Sequence, residues 1–137
     1  METMLRKPEL NKCLIIEDEP MAIEMMRHYI GRRDDLKLIG VVSELQELNQ
    51  ALEKLTPSII FLDLMISPGI PEKFHYSNLP RSASIIVVSA IPLRYYSGTL
   101  PKGKLFELPK PFSFENFDRC VNEVLSTRNK DQRETAN

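Results

Sequence analysis

Three short segments of this chain are apolar at every position: Cys13-Leu14-Ile15-Ile16, Ile59-Ile60-Phe61-Leu62 and Ile85-Ile86-Val87-Val88. A strand with one face in water alternates polar and apolar residues, so unbroken runs indicate strands buried on both faces. Strands of that kind pair side by side in a parallel sheet sandwiched between helices. The segments between the runs carry a helical period. Pro20, whose fixed φ suits a first helical position, is followed by Ala22, Met25, Met26, Tyr29 and Ile30 at helix-face spacing, with Gly31 as the expected C-cap. Leu36–Val42 reads as a second strand. Ser43 and Gln46 have capping-box spacing, and Leu45, Leu48, Leu52 and Leu55 mark a helix that Pro57 ends.

Leu105–Leu108 is a shorter fifth strand, and after Ser113 a last helix presents Phe114, Phe117, Val121, Val124 and Leu125 inward. The third and fourth helices are weakly written. Only a short stretch lies between Pro71 and Pro80, and the segment IPLRYYSGTLP has prolines near both ends, so both helices are expected to be short or irregular. From Arg128 onward, RNKDQRETAN holds no apolar residue larger than alanine and reads as a disordered polar tail or truncated linker. The order predicts an α/β, doubly wound, five-stranded parallel sheet over residues 11–127, with an N-terminal extension at 1–10 and the tail at 128–137.

A chain of 137 residues can bury one core. Its 18 Lys+Arg against 19 Asp+Glu argue against a surface built to neutralise phosphates, so no nucleic acid is expected on this chain itself. The tight basic pair Arg32-Arg33 is followed at once by Asp34-Asp35. No apolar stretch approaches membrane-helix length, and METMLRKPELNK lacks a signal-peptide core; a cytoplasmic chain without membrane contact is expected. Cys13 and Cys120 sit in apolar patterns and read as buried thiols. His28 and His75 have no partner at metal-ligand spacing. Met21, Met25 and Met26 read as core filler, while Tyr95-Tyr96 fits either packing or a partner surface.

In a sheet of this kind, ligands collect at the carboxyl ends of the strands. Strand one ends in Glu17-Asp18, strand three in Asp63, strand four in Ser89 and strand five runs into Lys110. Each residue alone has an ordinary explanation as a helix-dipole partner, turn former, cap or loop lysine. Their common edge is what chance explains poorly. Three converging carboxylates repel unless a cation joins them, and an all-oxygen set suits Mg²⁺. A lysine and a hydroxyl beside them suit an anion such as a phosphoryl group.

The motifs LIIEDEP (14–20), IIFLDLM (59–65), IIVVSA (85–90) and LPKPF (108–112) resemble, in order and spacing, the receiver domain of two-component response regulators. EDEP, FLDL and the weak fourth helix resemble especially receivers found in front of LytTR-type DNA-binding domains. The resemblance implies a flavodoxin-like fold with Asp63 as phospho-acceptor. It implies Mg²⁺ held by Glu17, Asp18, Asp63 and the Met65 backbone carbonyl. Ser89 would be the switch hydroxyl and Lys110 the phosphoryl-pairing lysine, before a cis Lys110-Pro111 bond. The phosphoryl donor would be a sensor histidine kinase or phosphotransfer protein, and a homodimer is a further implied partner. The chain would be no enzyme beyond its own phosphorylation and dephosphorylation.

Two departures stand out. The loop after Asp63, LMISPGIPEKF, displaces Pro68-Gly69, and Glu107 occupies the position where the family carries an aromatic switch residue. Phe106, one residue away, belongs to the other face of a regular strand. Either Pro109 forces a bulge that restores Phe106, or the aromatic part of the switch is missing. These departures keep open a second reading, a pseudo-receiver acting as a phosphorylation-independent interaction module. A Mg²⁺-dependent phosphohydrolase would need a second acid two residues after the nucleophile, and position 65 is Met.

Overall fold

A computed structural model describes residues 10–64, 76–96 and 98–136. The described strands are β1 (Asn11–Ile16), β2 (Leu36–Val42), β3 (Ile59–Leu62), β4 (Ser84–Ser89) and β5 (Lys104–Pro109), and the helices are α1 (Pro20–Gly31), α2 (Leu48–Lys54) and α3 (Phe114–Ala136). All strand pairs are parallel, in the order β2-β1-β3-β4-β5. This is the doubly wound α/β sheet expected from the apolar runs. The third-helix segment and the displaced Pro68-Gly69 lie largely outside the described residues, which resume in a 3₁₀ turn at Tyr76–Asn78. The fourth helix is reduced to the 3₁₀ turn Leu93–Tyr95, as two flanking prolines would dictate.

Alternation along each buried strand divides the core into two layers. Cys13, Ile15, Ile59, Phe61, Ile86, Val88 and Leu108 pack with α1 through Ala22, Met26 and Ile30 and with α3 through Phe117, Val121 and Val124. The intervening Leu14, Ile16, Ile60, Leu62, Ile85 and Val87 pack against Leu48 of α2 and against Leu64, Tyr76, Leu79 and Ala83. Phe61 and Phe117 stack with centroids 5.6 Å apart, joining the central strand to α3. Both cysteines are buried free thiols, and burial pushes Cys13 up to about 12 and Cys120 up to about 11. Arg33 cancels its charge locally, with Nη2 2.9 Å from Asp35 Oδ2 and Nη1 2.7 Å from Asp118 Oδ1, which also ties the α1–β2 turn to α3.

Several local expectations are corrected. Gly31 belongs to α1, the C-cap being Arg32 with right-handed φ of −81°, so no left-handed glycine is needed. The Ser43/Gln46 capping box does not form: Gln46 Nε2 donates to Glu44 Oε2 at 2.6 Å, and a 3₁₀ turn at Leu45–Glu47 leads into α2. Met21 is 80% exposed, pointing away from the core that Met26 fills. Beyond Arg128 the backbone is helical rather than disordered, continuing α3 to Ala136. The segment lacks Gly and Pro and is rich in good helix formers, so nothing stops a helix already nucleated and docked.

Candidate functional site

The parallel ladder itself assembles the site. One residue past β1, the Glu17 amide donates to the Val42 carbonyl at 3.0 Å; one residue past β3, the Asp63 amide donates to the Ile16 carbonyl at 3.0 Å. Each chain is therefore still in register where it leaves the sheet, and Glu17, Asp18 and Asp63 come together with carboxylate oxygens within 4.8 Å of one another. The Lys110 amide donates to the Ser89 carbonyl at 3.0 Å, fixing the end of β5 to the end of β4, and the Lys110-Pro111 bond is cis. Ser89 Oγ accepts from the Ile91 amide at 3.2 Å. Met65, whose carbonyl the resemblance adds to the metal ligands, lies outside the described residues.

These groups are withdrawn from water: Glu17 is 1%, Asp63 6% and Ser89 7% exposed. Lys110 Nζ donates to Glu17 Oε1 at 2.7 Å and stands 3.6 Å from Asp63 Oδ2. Burial, and after it the hydrogen bond with Asp63, push the Glu17 carboxyl up to about 7 against the opposing pull of Lys110. Burial alone would lower the Lys110 ammonium, but the Glu17 and Asp63 carboxylates outweigh it and hold the group above its ordinary value. Among the described residues Lys110 lies against Glu17 and Asp63, and the raised Glu17 carboxyl reflects burial beside a second carboxyl group. Three converging carboxylates form an all-oxygen donor set that suits a hard divalent cation, with Glu17, Asp18 and Asp63 as the residues able to hold one.

The two switch candidates on β5 part company. The β4–β5 register runs unbroken from Ser84↔Lys104 to Ser89↔Pro109, so Pro109 forces no bulge. Phe106 packs on the α1/α3 layer, and Glu107 shares the opposite face with Leu105. Phe106 is therefore not restored to the Glu107 face. Glu107 Oε2 instead accepts from the Leu93 amide at 2.8 Å. Tyr76 was not singled out from the sequence, since it follows a segment with no legible period. It is buried, and its phenol is raised by that burial and by the nearby Tyr96 and Asp63.

No family model matches the chain. Among curated proteins it is similar to the transcriptional regulatory protein MalR of Bacillus subtilis, 30% identical over 131 residues that cover 88% of this chain and 56% of MalR. It is also similar to the sensory transduction protein LytR of Staphylococcus epidermidis, 29% identical over 124 residues covering 87% of this chain and 48% of LytR. The chain thus spans about half the length of these relatives. In fold it is similar to a CheY-like response regulator receiver domain from Methylobacillus flagellatus, with a TM-score of 0.66 at 16% identity over 85% of this chain and 99% of that one. The response regulator PhyR from Brucella abortus gives a TM-score of 0.72 at 20% identity over 92% of this chain and 52% of PhyR. Taken with the sheet order and the residues at its carboxyl edge, these likenesses make the chain a response-regulator receiver domain.

Proposed function

We propose that the chain accepts a phosphoryl group on Asp63 from a phosphohistidine of a sensor kinase or phosphotransfer protein, and changes an output surface in response. The observation that carries this reading is the convergence of Glu17, Asp18 and Asp63 with Lys110 set between Glu17 and Asp63. An Asp63 carboxylate oxygen attacks phosphorus; the P–N bond to the donor imidazole breaks, and its electron pair returns to the ring nitrogen. The product is an acyl phosphate on Asp63. Lys110 pairs with the phosphoryl oxygens through its ammonium, and Ser89 offers its hydroxyl as a donor to one of them. Mg²⁺, when bound by Glu17, Asp18 and Asp63, supplies neutralisation of the charge on the transferred group. The chain's chemistry is confined to its own phosphorylation and dephosphorylation, in the cytoplasm. Among the described residues no helix is long and apolar enough to cross a membrane.

Beryllofluoride stands in for a phosphoryl group on aspartate and gives the test. Wild type is expected to bind it saturably only with Mg²⁺, with amide shifts spreading from Asp63 to residues 89–110, and Asp63→Ala to bind none. Absence of binding by wild type at millimolar Mg²⁺ would leave the second reading, a phosphorylation-independent interaction module. That reading draws on Glu107 standing where the family carries an aromatic residue.

A further inference from the structure

The segment that follows Ser89 is bonded back to the sheet at two points. Ser89 Oγ takes the Ile91 amide at 3.2 Å, and Glu107 Oε2 takes the Leu93 amide at 2.8 Å from a position 14 residues further along the chain. The second bond fills a local gap. Leu93–Tyr95 is a single 3₁₀ turn preceded by Pro92, which has no amide to donate and provides no side-chain cap. Leu93 carries the first amide of the turn, and a carboxylate on β5 serves as its cap from across the fold. The β4–β5 register makes this geometry: Glu107 shares a strand face with Leu105, and Leu93, Tyr96 and Leu105 pack on the same core layer. The outer side of the segment is left in water, with Ile91 and Tyr95 both exposed.

We propose that Glu107 is a positioning residue, a carboxylate latch that holds residues 90–96 in their resting place and opposes activation at Asp63. The inference rests on the phosphoryl-acceptor reading above. Ser89 begins the segment, so a Ser89 hydroxyl drawn toward a group on Asp63 pulls Ala90 to Leu93 with it. The Glu107–Leu93 bond ties that segment to β5 in the resting arrangement. A bond present in only one of two arrangements biases the equilibrium between them by its own strength. Removing it is therefore expected to favour the phosphoryl-bound form.

Two readouts on wild type, Glu107→Ala and Glu107→Gln separate the possibilities. Amide hydrogen exchange at Leu93 is expected to speed up about tenfold in Glu107→Ala without any ligand. The beryllofluoride concentration for half-saturation, with Mg²⁺ present, is expected to fall about fivefold in the same variant. Glu107→Gln, which keeps an oxygen acceptor, should lie close to wild type in both. Unchanged exchange at Leu93 overturns the latch whatever the ligand does. Faster exchange with unaltered half-saturation also overturns it, leaving Glu107 as a turn cap alone. If wild type binds no beryllofluoride, the phosphoryl-acceptor reading itself fails, and the latch falls with it for lack of anything to oppose.

Discussion

Glu17 sets the electrostatic character of the edge cluster, because it is the most deeply buried of its carboxyl groups and is pushed up to about 7. The folded protein holds a proton there that the unfolded chain releases near 4.5, so this residue's contribution to stability declines as pH rises from about 4.5 to 7. Lys110 matters most once that proton has gone. Lys110→Ala is expected to cost about 2 kcal/mol at pH 8, where it strands a buried carboxylate, and less than half of that at pH 5, where Glu17 is protonated with or without the lysine. Urea unfolding of both proteins at the two pH values checks it; an equal loss at both would show that Lys110 does not balance Glu17. The carboxylates, the serine and the lysine were legible from the sequence because each lies at the carboxyl end of a strand. The protonation of Glu17 was not legible, since it depends on burial and on side chains brought from β3 and β5.

At the level of single elements, α3 shows what a local pattern misses. Its first turn was readable: Ser113 Oγ accepts from the Asn116 amide at 3.1 Å, the N-cap arrangement expected of a serine there. Its far end was not, because a polar run with no buried face looks the same as a tail. In the fold that end is anchored. Arg128 Nη1 lies 3.0 and 2.9 Å from the Ser58 and Ser82 carbonyls and 3.2 Å from Ser84 Oγ, so it satisfies groups at the start of β3 and β4. Lys104 at the start of β5 pairs with Asp131 in the next turn. Arg128→Ala is expected to cost about 1–2 kcal/mol in urea unfolding and to speed amide exchange in the last turns of α3. Lys104→Ala, which breaks an exposed pair, should stay within about 0.5 kcal/mol of wild type. Equal losses in the two would mean that Arg128 contributes no more than a surface ion pair.

On the scale of the whole molecule, stability and site geometry share one framework. The strands that bury both core layers are the strands whose ends carry the carboxylates and Ser89. Phe61 sits two residues before Asp63 and stacks on Phe117 of α3. Phe61→Ala is expected to lower stability by about 3–5 kcal/mol, measured by urea unfolding. Because Asp63 directly follows β3, the same variant should weaken Mg²⁺-dependent beryllofluoride binding in whatever fraction stays folded. Phe61→Leu, closer in volume, should retain most of both. Wild-type stability in Phe61→Ala would contradict the described packing of the central strand.

The sequence by itself determined the sheet. Unbroken apolar runs have no stable place except between two layers, and right-handed crossovers then carry every strand's carboxyl end to one edge. That argument places Glu17, Asp18, Asp63, Ser89 and Lys110 together without any coordinates. Tertiary structure alone decided what those residues do to one another: that Lys110 bonds to Glu17, that Phe106 stays on the α1/α3 layer, and that Glu107 reaches the Leu93 amide. The periodicity of a segment reports how much of it is buried. It carries no information about which distant backbone or side-chain group fills the space beside it, and that is set by register and packing between elements.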